Sequence, residues 1–396
     1  PIIRNKLFFF ANYEKDNLEQ PGTTFRANTG GETVEGSVTR VLESDLSQLS
    51  DFLRENYGYE TGAYAGYTTG TPSKRFLGRM DFNLNERNKF SLRNTHLDAT
   101  TINLVSNSTS LGIGNRRTNL NAMSYENSGY GQLENIRSLV GEWNASIGSN
   151  MANNMIVGYT SHDESRESMG PVFPAVDILK DGVTYINFGT DPFTPNNELL
   201  YKSVQFQNNF TIFGNRHDLT FGVSAERYEA TNVFFSGSQG VYIYNSLDDF
   251  YQDANDGIAN PNRTTSPVAV NRYQLRWSNV PDQIKPIQPT EVFYAGAYAQ
   301  DEWRATDNLT VTGGVRVDVP KWKETGLFNE DVPGMVFRDE NGNDVQYSTE
   351  ALPGAKLHLS PRLGFNWDVG GNRATQIRGG TGVFTGRPAY VWISNQ

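Results

Sequence analysis

Residues that could carry out chemistry are few in this sequence, and its four histidines are the first to consider. They are scattered along the chain, at His96, His162, His217 and His358. None has a second histidine four residues away with a glutamate between, the spacing that places two imidazole ligands on one helix face. In the strand pattern described below they fall near strand ends and turns, where solvated side chains are expected. The sequence therefore predicts no catalytic residue and no histidine metal site.

A cluster of acidic residues is a second candidate for chemistry. The segment 248–256 carries four carboxylates, and carboxylate oxygens are ligands that Ca²⁺ prefers. Their spacing does not fit the calcium loop of an EF-hand, and no glutamate stands at its twelfth position. We expect a solvated loop here, with a bound cation as the alternative. Farther on, Asn341-Gly342 predicts a two-residue hairpin turn between Val336-Phe337 and the segment 345–347.

Two further enzyme signatures, a dinucleotide-binding loop and a pair of catalytic carboxyl groups, are also not matched by the sequence. Gly379-Gly380-Thr381-Gly382 lacks the spacing of a dinucleotide-binding loop and opens no helix, so no cofactor is predicted. A hydrolase would need two carboxyl groups in one cleft, whereas the acidic residues here lie in connections or on separate strands. We therefore expect that the chain is not an enzyme.

Composition narrows the class of protein further. The 396 residues carry a net charge of −10, which disfavours nucleic acid as a partner, and they include no cysteine. Only 37% are apolar but 12% are aromatic, which argues for a folded chain rather than a disordered one. Runs of about 18 apolar residues, as in a membrane helix, are lacking. A membrane-spanning β-barrel stays compatible because its polar lumen face lowers the average hydrophobicity.

The elements that would position any site are strands, recognised by apolar and polar residues that alternate with period two. Residues 75–84 alternate in this way, a short polar turn follows at 85–88, and the pattern resumes at Phe90 and Leu92. Such a pair is a hairpin whose two faces meet different environments. Four more hairpins follow, with turns at 148–153, 214–216, 305–308 and 370–372.

Long connections separate these hairpins, in strict alternation with the short turns. They span about 15–74, 99–131, 164–201, 229–290 and 320–359. Compact domains rarely contain such long loops, whereas outer-membrane barrels combine short periplasmic turns with long extracellular loops. With a first strand at 6–14, the pattern predicts an all-β fold, an antiparallel up-and-down transmembrane β-barrel of about eleven strands. A twelfth strand would lie at 390–394, and the barrel would be partial.

Strand phase predicts where side chains point in such a barrel. Charges on a lipid face would cost roughly 2–4 kcal/mol near the midplane, so charges in the polar phase are expected to face the lumen. These residues are Arg79, Arg93, Glu142, Glu226, Arg316, Asp318 and Arg378. Aromatic residues near strand ends are expected to form interfacial girdles, with packing in a soluble core as the alternative. These are Tyr13, Trp143, Tyr159, Trp303 and Trp367.

Three strings resemble a known family. Residues 1–14 (PIIRNKLFFFANYE) are similar to the segment that joins plug to barrel in Oar-like TonB-dependent receptors. Residues 360–367 (SPRLGFNW) and 378–388 (RGGTGVFTGRP) resemble barrel strands of the same receptors. The resemblance implies a barrel of about 22 strands in the outer membrane of a Gram-negative cell, with a plugged lumen. Residues 1–396 would then be part of one barrel domain, without plug, coupling box or C-terminal strands.

The resemblance also implies a function and partners. The protein would take up a scarce external solute by energy-coupled transport, through an inner-membrane complex that pulls on the plug. Membrane lipid would surround the barrel, and the long loops would contact a solute or peptide whose identity is open. The alternatives are a passive porin, or a soluble extracellular all-β module for binding or adhesion.

Overall fold

The computed structural model describes residues 1–279, 282–323, 328–390 and 392. Eleven long strands form one sheet in chain order, and each pairs antiparallel with the next. They are β1 Leu7–Pro21, β2 Thr68–Asn83, β3 Asn88–Asn103, β4 Asn135–Ile147, β5 Met151–Asp163, β6 Asn197–Phe213, β7 His217–Phe234, β8 Gln288–Thr306, β9 Leu309–Trp322, β10 His358–Asp368 and β11 Gln376–Gly382. The predicted fold class is confirmed as a long up-and-down sheet. No pairing among the described residues joins β1 to β11.

The strands extend beyond the predicted bounds at the end that carries the long connections. β1 continues to Pro21, which pairs with Thr68 at the start of β2. The connections therefore shorten to 22–67, 104–134, 164–196, 235–287 and 323–357. Alternation could not show these extensions, because polar side chains cover both strand faces once the strand leaves the apolar band. Most of the proposed twelfth strand, 390–394, lies outside the described residues.

The apolar phase of the strands forms one continuous exposed face. Register places Met80 opposite Leu92, and Val157 opposite Phe206. Large apolar side chains stay open on this face in every part of the sheet, among them Phe82, Phe90, Leu139, Val204, Phe221, Val223, Phe293 and Phe365. Soluble proteins rarely expose an apolar surface of such extent. We call it the outward face, and the opposite one the inward face.

Four of the five long connections contain helices or strands that pack together. The first holds the parallel pair Arg26–Asn28 and Val38–Leu42, and helix α1, Glu43–Tyr57. The fourth holds helix α2, Leu247–Ala259. A five-stranded sheet takes strands from the second, third and fourth connections, in the order Arg272–Gln274, Val241–Tyr244, Ala175–Lys180, Val183–Phe188 and Met123–Ser124. Tyr130–Leu133 and Arg166–Ser168 pair with each other and extend the sheet from β3, next to the short 3₁₀ helix Glu126–Ser128.

These four connections share one hydrophobic core, and we call the unit they form the cap. From α1, Leu46, Leu49 and Leu53 are fully buried, at a spacing that lines one face of a helix. They join buried residues of the other three connections, among them Met123, Tyr125, Ile178, Tyr185, Ile186, Phe188, Tyr244 and Phe250. Each connection supplies only part of this core, so the four must pack together to bury it. No helix in the described ranges is long and apolar enough to cross a membrane.

The fifth connection contains a small hairpin near the predicted place. Phe337–Arg338 pairs with Asp344–Val345, after a short 3₁₀ helix at Val332–Gly334. The turn spans five residues instead of the two predicted from Asn341-Gly342. The Asp339 carboxylate closes it by accepting backbone N–H bonds from Asn341 and Asn343, at 2.9 and 2.8 Å. An aspartate at a turn start competes with the tight two-residue turn in this way.

Candidate functional site

The seven charged residues predicted to face the lumen all lie on the inward face. Two groups form among them. In the first, Arg79 pairs with Asp81 at 2.7 Å, and Glu142 accepts hydrogen bonds from Asn144 and Asn154, each at 2.9 Å. Arg93 lies opposite Arg79 in the strand register, whereas Arg378 lies far across the sheet, opposite Asn366. The inward face therefore carries charges, of which Arg79 is ion-paired and Glu142 is hydrogen-bonded, as expected of a polar lumen.

The second group is the more deeply buried one. Arg316 pairs with Asp318 at 2.7 Å and donates a hydrogen bond to Ser224 at 2.9 Å. Glu226 accepts a 2.6 Å hydrogen bond from Ser203. Asp318 and Glu226 are only 3% and 6% exposed, so both carboxylates depend on these hydrogen-bonding partners to offset the cost of burial.

Arg387 completes this second group, although it was not among the residues predicted to face the lumen. Its guanidinium pairs with Glu226 and lies over the Tyr294 ring, 4.8 Å from the centroid. Strand phase assigns a face only to strand residues, whereas Arg387 follows the last described strand. Glu226, Arg387 and Tyr294 line a 140 Å³ cavity that also includes Gln205 and Ser224.

An aromatic cavity lies nearer the cap on the same face. Its volume is 320 Å³, and Tyr201, Tyr228 and Tyr390 line it together with Glu164. The Tyr201 and Tyr228 rings stack at 5.7 Å, and Tyr390 lies 4.8 Å from Tyr228. These rings were not predicted as lumen residues, because only charged residues of the polar phase were assigned to the lumen. Aromatic residues on the polar phase were the signal that could have found them.

His162 packs against Tyr201, one of the rings of this cavity, and the expectation of a solvated side chain is wrong for it. Its side chain is only 12% exposed, and Nδ1 lies 3.1 Å from Glu164. Nδ1 also contacts the Tyr201 hydroxyl, because the register places the two residues opposite each other. His96 and His217 remain partly exposed and pair with Asp98 and Asp301.

The acidic segment 248–256 is helical, which corrects the prediction of a solvated loop. It lies within α2, whose N-cap Ser246 accepts a 3.0 Å hydrogen bond from the Asp249 backbone N–H. Asp253 is buried and accepts hydrogen bonds from Tyr244, at 2.7 Å, and from Ser266. Arg263 pairs with Asp253 and Asp256, each at 2.8 Å, and holds the pKa of Asp256 below its usual value.

Two of the four carboxylates of the acidic segment, those of Asp253 and Asp256, are therefore paired with Arg263. Within the part of the chain that the structure describes, no group of three or more histidine, aspartate or glutamate side chains could hold a metal ion.

The five aromatic residues assigned to girdles all lie on the outward face. Tyr159 points outward near the cap end of its strand and Tyr13 near the middle of β1, whereas Trp143, Trp303 and Trp367 lie toward the short turns. Trp303 stacks with His217 at 6.0 Å. An exposed apolar face bounded by aromatic rings is typical of a barrel surrounded by lipid.

The match to a known protein family leads to the same conclusion as the exposed apolar face. Residues 1–393 match the family described as outer membrane beta barrel domain. The chain belongs to this family. It is therefore a protein of the cell outer membrane, and the alternative of a soluble extracellular module is wrong. In such barrels the short turns are periplasmic and the long connections extracellular, so the cap lies outside the cell.

Solved structures with a similar fold are distant in sequence. The outer membrane transporter YddB from Escherichia coli is 10% identical, with a TM-score of 0.49 over 96% of this chain and 36% of that one. The ferric yersiniabactin uptake receptor FyuA from Yersinia pestis is 10% identical, with a TM-score of 0.47 over 93% and 40%. The FrpB iron transporter from Neisseria meningitidis is 13% identical, with a TM-score of 0.44 over 92% and 41%. The chain thus spans less than half the length of each of these proteins. None of the curated proteins matches it.

Proposed function

We propose that the protein is an Oar-like TonB-dependent receptor that takes up a scarce external solute by energy-coupled transport. The observation that carries this proposal is the cap, in which four external connections share one hydrophobic core above the strands. A folded external unit offers a fixed recognition surface, whereas independent loops would have to become ordered on binding. The resemblance of residues 1–14, 360–367 and 378–388 to Oar-like receptors supports the finer assignment.

The inward face supplies a second contact zone for the solute. Below the cap, the aromatic cavity at Tyr201 and Tyr228 combines ring faces with the Glu164 carboxylate. Farther toward the turns, Glu226 and Arg316 offer charged hydrogen-bonding groups. In this proposal the solute first contacts the cap, then the aromatic cavity, and then the charged residues of the inward face. It passes inward after the plug rearranges, and an inner-membrane complex supplies the energy. No step involves covalent chemistry.

A passive porin is the alternative, and an electrical measurement distinguishes the two. The native protein that carries this chain is reconstituted in a planar lipid bilayer with KCl on both sides. A plugged receptor should give no steady KCl current, whereas a porin would conduct as soon as it inserts. As an independent check, the coding region upstream of Pro1 should encode a plug domain. Steady conductance, or a coding region without a plug, would contradict the proposal.

A further inference from the structure

The aromatic cavity below the cap has a wall of three tyrosine rings. The Tyr201 and Tyr228 rings stack with their centroids 5.7 Å apart, and Tyr390 lies 4.8 Å from Tyr228 at an interplanar angle of 52°. The register explains the first pair, because Tyr228 lies opposite Ser203, which shares the inward face of β6 with Tyr201. Tyr390 comes from the segment that follows β11. All three rings are half-buried, and together they offer aromatic surface to the cavity that they line.

The charged group that lines this cavity is a carboxylate. Glu164 supplies it, and no lysine or arginine is among the described residues around the cavity. The Oε1 atom of Glu164 accepts a hydrogen bond from the Tyr201 hydroxyl at 3.3 Å and lies 3.1 Å from His162 Nδ1. A cleft lined by one sign of charge raises the local concentration of solutes of the opposite sign. The cavity therefore favours a cationic ligand, in a chain whose net charge is −10.

A buried hydroxyl group in the same cavity has no hydrogen-bond partner within the described ranges. Thr290 on β8 is only 3% exposed, and its Oγ1 atom forms no hydrogen bond with any described residue. It lines the cavity beside Ala230, its neighbour in the strand register. Buried polar groups in proteins are almost always hydrogen-bonded, so each exception requires an explanation. A ligand with a hydroxyl or carbonyl group would satisfy this one.

A tyrosine ring on the inward face already holds a cation of the chain itself. The Arg387 guanidinium lies over the Tyr294 ring, 4.8 Å from its centroid. A cation within about 6 Å of a ring centroid is attracted by the negative charge of the ring face, and more strongly where water is excluded. Because no described lysine or arginine lines the aromatic cavity, the rings of Tyr201 and Tyr228 are left for the cation of a ligand.

We propose that the aromatic cavity binds a methylated or quaternary ammonium group, and that the solute taken up is a small organic cation. The ammonium group lies against the tyrosine rings with Glu164 as its counter-charge, and a polar group of the solute bonds to Thr290. A bare ammonium group would bring three N–H donors that need acceptors, whereas a quaternary one brings none. The volume of 320 Å³ suits a small molecule. This inference names the chemical class of the solute and rests on the proposed uptake function.

The test compares two ligands of the same shape that differ in charge. Choline and its neutral isostere 3,3-dimethylbutan-1-ol, in which carbon replaces nitrogen, are titrated calorimetrically into the native protein that carries this chain. The detergent is a maltoside, which has no choline group that could compete. Choline should bind, and the neutral compound should bind roughly tenfold more weakly or less, because it lacks the attraction to the rings and to Glu164. Equal binding of both compounds, or no binding of choline, would overturn the proposal.

Matched variants separate the aromatic ring from its hydroxyl group. Tyr228→Leu removes the ring and should weaken choline binding about tenfold, whereas Tyr228→Phe keeps the ring face and should retain binding. Glu164→Gln removes the counter-charge and should weaken binding by a similar factor. The control Tyr159→Leu removes a tyrosine from the outward face of β5 and should leave binding unchanged. Heat-modifiable gel migration checks that every variant folds. Equal loss of binding in the Phe and Leu variants would contradict a role for the ring face.

This test is separate from the bilayer test of the proposed function. A protein that binds choline selectively but conducts KCl steadily would refute energy-coupled uptake and leave the ammonium site in place. A protein that carries no KCl current and binds neither compound would refute the ammonium site and leave the receptor assignment in place.

Discussion

At the scale of single residues, the cap depends on a buried ion pair that joins two external connections. Arg116 and Asp177 are each 1% exposed, and Arg116 Nε lies 2.9 Å from Asp177 Oδ2. The same guanidinium donates hydrogen bonds to the backbone carbonyls of Ser106, Ser108 and Leu111. Asn187 donates to Asp177 at 2.8 Å. One side chain therefore fixes the second connection against the central strand of the cap sheet.

Replacing Arg116 by methionine should destabilise the cap strongly. Asp177 would remain buried without its cation, and breaking such a pair costs about 3–5 kcal/mol. Hydrogen–deuterium exchange of the native protein, followed at segments 104–134 and 164–196, measures the loss of protection. Arg54→Gln is the control, because its pair with Asp51 is exposed and worth at most about 1 kcal/mol. Equal protection in both variants would contradict a structural role for the buried pair.

The same variant should show a defined pH dependence. Burial already raises the pKa of Asp177, and the Arg116 charge opposes that rise, so its removal should raise the pKa further. A carboxyl whose folded pKa exceeds the unfolded value of about 3.9 loses stability as pH rises from that value to the folded pKa. The cap of Arg116→Met should therefore be less protected at pH 7 than at pH 4.5, after correction for intrinsic exchange. A defect that does not depend on pH would show that Asp177 is not its cause.

At the scale of elements, strands were predictable from the sequence and the cap was not. A strand such as β7 shows its phase within one segment, because lipid on one side and a polar lumen on the other impose alternation. The cap core instead joins residues far apart in the chain, such as Leu46, Met123, Ile178 and Phe250. The sequence of one segment does not show which distant segments its apolar residues pack against. Phe250 and Ala254 have the four-residue spacing of a helix face in α2. The carboxylates around them nevertheless led to the prediction of a loop.

The assignment of strand residues to the outward and inward faces can be tested by placing one charged residue on each face in turn. Val223 lies outward near the middle of the apolar run of β7, so Val223→Arg should cost about 2–4 kcal/mol. Gln207→Arg introduces the same side chain on the neighbouring strand, opposite Ser224 on the inward face, and should cost little. Unfolding of the native protein in lipid vesicles, with heat-modifiable migration as the readout of folding, compares the two. Equal costs would mean that the assigned faces are wrong.

At the scale of the whole molecule, the order of strands in the sheet determines whether these residues can form a closed barrel by themselves. Pairing proceeds from β1 to β11, and within the described ranges neither edge strand has a second partner. Unpaired backbone groups at such an edge are costly in lipid and act as templates for pairing with other chains. Both the outward and the inward face are therefore complete only in a closed barrel.

Residues 1–396 expressed alone should consequently not insert as a stable monomer. We expect aggregation or edge-to-edge association, because the fifteen-residue edge β1 is long and includes the apolar stretch Leu7–Phe10. Purified outer membranes, analysed by gel migration with and without heating, give the measurement, and the native protein that carries the chain is the positive control. A heat-modifiable monomer from the isolated chain would show that β1 and β11 close on each other. The barrel would then have eleven strands, and the lumen assignments would have to be rebuilt around that smaller pore.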